Sequence, residues 1–412
     1  MWCHTTNPCI EMRYLIPRVL SINIIEWRIM RTMALLATFL LSTVAFPMTA
    51  SADVCSTVDV LEFDGNNANE SVTTQVEFGP RIPGSNASMD LRNWFMETRP
   101  EFDWRLDPHH RGGYNLTNLE GKLIPSDSTE ETPVIVLAAH YDSRHRAERD
   151  SNPDMTEQPI PGANDGGSGV AVLWELARII PSLNLDHEIW ILLTDAEDQG
   201  SNNDPSTWAL GARAWAENQT QDDINRTDGF LLVDMIGDAD LKIYRTFPPS
   251  LNNEEGNRLW MAVENLSGPL GLLDGVEDCS GSIGQDIINF SSMDGVNDDH
   301  VPMNEVGIPA IDFIDIRYGE NATAWQGYWH THEDTPDKVS AESLAHIGRL
   351  LELGLREGSW LRADVLEPTA EAPETTEVST TFSPIVSGVV LTVVVMISLA
   401  FLGLHQSVRL KR

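Results

Sequence analysis

Basic residues are scarce in this sequence. Across 412 residues, 27 Lys and Arg stand against 62 Asp and Glu, a formal net charge of -35. Such an excess of carboxylates repels nucleic-acid phosphates and anionic membrane surfaces, which excludes both as partners of the folded part. Cysteine is equally sparse. The four are Cys3, Cys9, Cys55 and Cys279, too few for a disulfide framework. The first two precede an expected cleavage site; Cys55 and Cys279 either pair in an oxidising compartment or stay free thiols. No internal repeat is present, which sets solenoids aside. Hydrophobic content is ordinary, at 42%, so a sizeable core is expected and disorder throughout is not. The length allows one large domain or two ordinary ones.

Both ends carry apolar runs that read as targeting and anchoring. Met33 to Ala52 has the form of a secretory signal, with Arg28 and Arg31 before it and small residues Ala50, Ser51 and Ala52 at its end. The residues upstream fit that pattern badly, which suggests a start at Met30 or Met33 and treats 1–52 as extension plus signal. Ile385 to Leu404 holds no charged residue. As a helix these residues span about 30 Å at roughly 1.5 Å each, the thickness of the hydrocarbon layer. Arg409, Lys411 and Arg412 follow, which places a short tail, 405–412, in the cytoplasm. The stretch 367–384 is rich in Thr, Glu and Pro and reads as a solvated linker. The expected arrangement is a single-pass type I protein whose folded domain, 53–366, lies outside the membrane. Eight Asn-x-Ser/Thr sequons, from Asn69 to Asn321, agree with that side.

Within 53–366 short apolar runs alternate with helical periods. Val134 to Ala139, Ile189 to Leu193, Phe230 to Val233 and Ile308 to Ile314 read as buried strands. Gly169 to Ile180, Ala209 to Glu217, Arg258 to Leu266 and Ala341 to Leu361 read as helices. This alternation predicts an α/β fold, a three-layer αβα sandwich with a mostly parallel central sheet. Polar clusters follow the strands: His140 and Asp142 after the first, Asp195, Glu197 and Asp198 after the second, Asp234 at the end of the third. The carboxyl ends of strands line the ligand crevice of open α/β sheets, so the three clusters are expected to converge.

Five motifs then appear in one order: His140-Tyr-Asp142-Ser; Pro161-Gly-Ala-Asn-Asp165-Gly-Gly-Ser-Gly; Asp195-Ala-Glu197-Asp198-Gln-Gly; Val233-Asp234-Met-Ile-Gly; and Trp329-His330-Thr-His-Glu-Asp-Thr335. Together they resemble the M28 metallopeptidase superfamily. Phe78 to Ser85, the run Asp298-Asp299-His300 and the Trp before His330 make the sequence more similar to its glutaminyl-peptide cyclotransferase (glutaminyl cyclase) branch. The resemblance covers about Phe78 to Trp360 and implies a zinc enzyme acting on the amino termini of peptides or proteins.

Zinc takes His nitrogen and carboxylate oxygen at about 2.0–2.2 Å, and a catalytic ion keeps a position open. The resemblance assigns Asp165, Asp198 and His330 to one zinc, with His140 and Asp234 completing a second site if two ions bind, as in the aminopeptidases. It makes Asp142 the carboxylate that orients the His140 ring, Glu197 the general acid/base, Asp234 and Asp298 its catalytic partners, and Asp312 an extension of that network. Trp329 is expected as a pocket wall. Trp208 and Trp215 read as packing residues, and His145, His300 and His332 as non-ligands. The leading activity is cyclisation of an N-terminal Gln to pyroglutamate with loss of ammonia. The alternative is a zinc aminopeptidase, and a third reading is a binding module without catalysis. Asp198 stands where animal cyclotransferases and most aminopeptidases carry Glu. Being one methylene shorter, it requires a closer backbone or a different ligation. Asp312 stands where the animal enzymes have His.

Overall fold

The computed structural model describes residues 54–201, 203–247 and 254–362. The chain divides into two compact units, 1–59 and 60–412. The described part of the first holds one short helix, α1 (Val54–Val58), whose Cys55 is disulfide-bonded. Cys279, in the second unit, is disulfide-bonded too, so the free-thiol alternative is set aside. The expected signal, linker and membrane-spanning segments lie outside the described residues. Among those described, no helix is long and apolar enough to cross a membrane.

Two helices, α2 (Gly65–Glu77) and α3 (Asn86–Thr98), open the second unit. Each starts at a residue whose side chain accepts from an orphan backbone N–H: Asp64 from Asn66, Ser85 from Ser88. A central sheet of six strands follows, in the order β1-β2-β4-β3-β5-β8. Strands β3 (Val134–His140), β4 (Glu188–Thr194), β5 (Thr227–Asp234) and β8 (Ala310–Ile314) are parallel and buried along their whole length. That burial is why they read as continuous apolar runs. Strands β1 (Asp103–Arg111) and β2 (Tyr114–Leu123) add an antiparallel edge next to β4. A separate pair, β6 (Ile243–Phe247) and β7 (Ile288–Gly295), is parallel.

Helices cover both faces. On one face Val136, Trp190, Phe230 and Leu232 meet Ala212 and Trp215 of α5 (Leu210–Glu217) and Met303 of α8 (His300–Val306). On the other lies α4 (Gly167–Ile179), brought so close that a Cβ on Gly169 would stand 2.1 Å from the Val233 carbonyl oxygen. The remaining helices are α6 (Gln221–Arg226), α7 (Glu254–Ser267) and α9 (Ala341–Arg356), which stops short of the expected Leu361. Parallel strands have their carboxyl ends on one edge of the sheet. His140, Thr194, Asp234 and Ile314 end them side by side.

Candidate metal and active site

Strand ends carry the first two site residues. His140 closes β3 and Asp234 closes β5, and His140 Nε2 lies 2.9 Å from Asp234 Oδ1. Asp165 arrives on the loop before α4, with its Oδ1 3.4 Å from the same His140 nitrogen. Gly166, next in sequence, has φ +83, and a Cβ there would press on the His140 ring at 3.1 Å, so glycine fits both the turn and the space. Asp198 follows β4, and His330 comes from the long loop after β8. Their closest atoms are 3.0 Å apart, and His330 Nε2 is 3.7 Å from Asp165 Oδ2. Two groups result, His140–Asp165–Asp234 and Asp165–Asp198–His330, each with its ligand atoms within 4.8 Å of one another. Asp165 belongs to both.

The chemistry of these donors fits a divalent cation. All five side chains are buried, yet Asp165 Oδ2, Asp198 Oδ2 and His140 Nδ1 have no hydrogen-bond partner. A buried carboxylate oxygen without a partner is costly, and a shared cation satisfies several at once. Burial, then the nearby Asp198 charge, pushes the Asp165 carboxyl well above its usual range, as expected where like charges are buried together.

The supporting residues fix the first group in place. Asp142 is 3.6 Å from His140 Nδ1. Its oxygens also accept from the backbone of Glu197 at 3.0 Å and Asp198 at 3.1 Å, and from Gln199 Nε2 at 2.8 Å. Asp142 therefore holds the Glu197–Asp198 turn as well as facing the ring. Buried Arg144 donates to the carbonyls of Asp198 and Gly200. Asp334 accepts from the backbone N–H groups of Asn164 and Asp165. Glu148 accepts from His330 Nδ1 at 3.1 Å, the outer hydrogen bond that orients a ligating imidazole. Sequence reasoning gave Arg144, Asp334 and Glu148 no role at the site: Arg144 and Glu148 pair locally four residues apart, but the contacts by which the three support the ligands reach Asp198, Asn164 and Asp165, and His330 in distant chain segments.

Glu197 is buried, and burial followed by the charge of Asp298 holds its carboxyl well above the usual range. Asp298, just before α8, is raised by burial and then by Asp234. Asp312, on β8, is raised by burial and then by Asp298. The expected network does not reach Asp312 through hydrogen bonds. Both of its oxygens lack a partner, and the nearest basic atom, His300 Nδ1, is 3.6 Å away. Burial pushes His300 down to about 3, so it faces Asp312 uncharged.

A cavity of about 280 Å³ opens over these groups. Asp165, Glu197, Asp198, Asp234 and Asp298 line its floor; Trp208, Trp325, Trp329, Val296, Ile314 and Arg149 are among its other lining residues. Trp329 is a wall, as expected, and its ring stacks 3.7 Å from that of His330. Trp208 corrects the sequence reading. It lies 6.2 Å from the His330 ring and lines the cavity, because the turn after Asp198 folds back over the site. Trp215 is core, as expected. His145 pairs with Gln199 and His332 with Asp150, and neither belongs to a ligand group.

Residues 118–353 match the family model for Peptidase family M28. Aminopeptidase YwaD of Bacillus subtilis is 27% identical over 225 residues, covering 54% of this chain and 41% of that protein, so this chain spans less than half of that relative. The glutaminyl-peptide cyclotransferase of Bos taurus is 24% identical over 307 residues, covering 66% of this chain and 77% of that one. Among solved structures, a Zn-dependent exopeptidase from Parabacteroides distasonis superposes with a TM-score of 0.60 at 26% identity, covering 72% of this chain and 99% of that chain.

Proposed function

The chain belongs to peptidase family M28, and from that footing we propose that it is a zinc-dependent glutaminyl-peptide cyclotransferase, closing an N-terminal Gln to pyroglutamate. The observation that carries this reading is the buried carboxyl pair Glu197 and Asp298, which shares one aromatic-walled cavity with the Asp165–Asp198–His330 group. Asp165, Asp198 and His330 would hold the zinc ion, which would supply Lewis acidity toward the side-chain amide carbonyl of the glutamine.

Every other step belongs to side chains. Glu197 accepts a proton from the α-amine as the nitrogen bonds to the amide carbon. It then delivers that proton to the departing nitrogen, which leaves as ammonia when the carbon–nitrogen bond breaks. A carboxyl raised toward the working range serves both steps, because it gains and loses a proton readily. Asp298 and Asp234 hold the amine, and burial with the charge of Asp298 keeps the Glu197 carboxyl above its usual range. Water competes with the amine for the same carbon. Walls of Trp208, Trp325, Trp329, Val296 and Ile314 favour the intramolecular attack by limiting water.

A second reading, a zinc aminopeptidase, draws on the His140–Asp165–Asp234 group, which offers a second ion a place. Glu197 would then take a proton from a water, and the acidic floor would hold the free amino terminus. Zinc-loaded protein offered Gln-initiated peptides and other amino-terminal residues separates the two. Cyclisation yields pyroglutamyl peptide and ammonia, with about one zinc per chain. Release of free amino acids without pyroglutamate, with about two, would overturn the first reading.

The charge-free run 385–404, flanked by the basic tail, supports export and a type I membrane anchor for this enzyme. Resistance of the full chain to alkaline extraction from membranes, and release by truncation after residue 366, would check that.

A further inference from the structure

One cation stands at the mouth of the acidic cavity, and the proposed reaction leaves it without a task. Arg149 lines that cavity and also a neighbouring one of about 420 Å³. Its position is fixed from two sides. The Arg149 backbone N–H donates to the His330 carbonyl at 3.2 Å, and Asp150 accepts from both the backbone and the ring of His332 at 3.0 Å. The loop is thus pinned to the segment that carries a metal ligand. The guanidinium lies 5.2 Å from the Trp329 ring centroid, and that ring is 3.7 Å from the His330 ring.

Among the described residues, no carboxylate lies within ion-pairing distance of this guanidinium, whereas Arg111, Arg144, Arg178, Arg213 and Arg317 each meet one. Carboxylates outnumber basic residues 62 to 27 in this chain, so lack of a partner here is not for want of acids. Packing of the guanidinium against the indole leaves its N–H edges free to donate, and a planar fork of that kind matches a carboxylate.

We infer that Arg149 recognises a substrate carboxylate close behind the reacting amino terminus. That carboxylate is the side chain of an Asp or Glu at the second or third position, or the terminal carboxylate of a dipeptide or tripeptide. This rests on the reading that the substrate's amino terminus occupies the cavity. An extended peptide advances about 3.3 Å per residue, and Arg149 lines the same cavity as Glu197 and Asp298, so the residues it meets are those next behind the amino terminus. Farther along, the neighbouring cavity presents Asp150, Glu320 and Glu333, which repel an acid. The preference is therefore confined to the positions nearest the reacting end.

The test uses zinc-loaded full chain and amidated pentapeptides beginning Gln-Glu or Gln-Gln, a third with its only Glu at the fifth position, and Gln-Gly with a free or amidated terminus. We read kcat/KM, and we read affinity by calorimetry on Glu197→Gln protein, which does not depend on turnover. The Gln-Glu peptide and free-acid Gln-Gly should each exceed their neutral partners about three- to tenfold at low salt, with the gap narrowing as salt rises. The fifth-position Glu should give no gain. Arg149→Gln should bring these ratios to about one, and Arg149→Lys should keep part of them. A gain in only one arm identifies which carboxylate is read. Equal handling of acidic and neutral peptides, or a preference that survives Arg149→Gln, overturns the assignment even if pyroglutamate forms. Acid-selective binding without any product sinks the proposed activity but leaves Arg149 standing. Binding of no peptide overturns both.

Discussion

Glu148 allows the metal site to be perturbed without touching a ligand. Its carboxylate accepts from His330 Nδ1 at 3.1 Å and from Arg144 Nη2 at 2.6 Å. Burial opposes its ionisation, but His330 and Arg144 outweigh it and hold the carboxyl below the usual range. Glu148→Gln keeps an oxygen opposite the ring and removes the charge. A charge-assisted hydrogen bond is about twice as strong as a neutral one. Changing the outer partner of a ligating His typically costs about 10–100-fold in metal affinity. The Gln variant should fall at the low end, about tenfold or about 1.4 kcal/mol. Glu148→Ala should approach the high end, because His330 loses its acceptor and buried Arg144 its carboxylate. Arg144 still donates to the carbonyls of Asp198 and Gly200, so the turn it holds should survive. The assay is zinc affinity by competition with a coloured chelator, beside melting of the zinc-free protein to detect loss of folding. Both variants holding zinc within about twofold of the unaltered protein, with the same zinc-free melting, would refute the idea that Glu148 orients His330.

Three further outcomes are expected. Glu197→Gln should retain zinc by elemental analysis while kcat falls about 10²–10⁴-fold, the usual worth of general acid/base catalysis. Trp329→Ala should raise KM for peptides several-fold, given roughly 0.5–1.5 kcal/mol for a lost aromatic contact, and Trp329→Phe should recover most of it in steady-state kinetics. Asp315 accepts from the backbone of Lys242 and Arg317, and burial raises its pKa from 3.8 to about 6. A folded-state pKa above the unfolded one means the native state holds the extra proton between those values. The contribution is thus full below the lower value and lost as pH rises through the higher. On acidification from pH 7 to 4, denaturant unfolding should show the unaltered protein gaining up to about 3 kcal/mol relative to Asp315→Asn, at about 1.36 kcal/mol per unit. Parallel stability curves for the two would count against this.

The fold was legible where burial is two-sided. The four parallel strands stand where continuous apolar runs put them; β3, β4 and β5 are longer by one to four residues, and β8 begins two residues later than expected, at Ala310. The opening helices were not legible: α2 buries mostly small and polar residues in place of an apolar stripe, and α3 mixes Ser88 and Arg92 into the face that buries Leu91 and Phe95. The inner face of α2 is Gly65, Ala68, Ser71, Val72 and Gln75. Strand β1 escaped for a related reason. It is an edge, largely exposed, and carries Pro108 beside two histidines, a composition that edge strands tolerate and central ones do not. The hairpin's one local sign was Gly112 and Gly113, both at positive φ, as a two-residue turn between strands requires.

The site was legible in its ligands and opaque in their supports, and Asp198 explains why. A side chain one methylene shorter than Glu raises the question of reach, and its own motif cannot answer it. Reach is set by residues elsewhere in the chain. Asp142 accepts from the backbone of both Glu197 and Asp198, and Arg144 pulls on the Asp198 carbonyl. Ala196 takes a left-handed φ of +58 to begin the turn. His330 approaches from the other side with φ +56, and Met235, after Asp234, has φ +45. Each left-handed residue with a Cβ costs roughly 1–2 kcal/mol, and such residues persist where the surroundings over-determine them. Three of them lie at or beside the residues that form the metal groups. The backbone is thus bent toward the ligand positions from three loops at once, and the shorter carboxylate falls within 3.0 Å of His330. Motif order can show which residues meet, but the distance at which they meet depends on turns whose strain is stabilised by side chains many residues away.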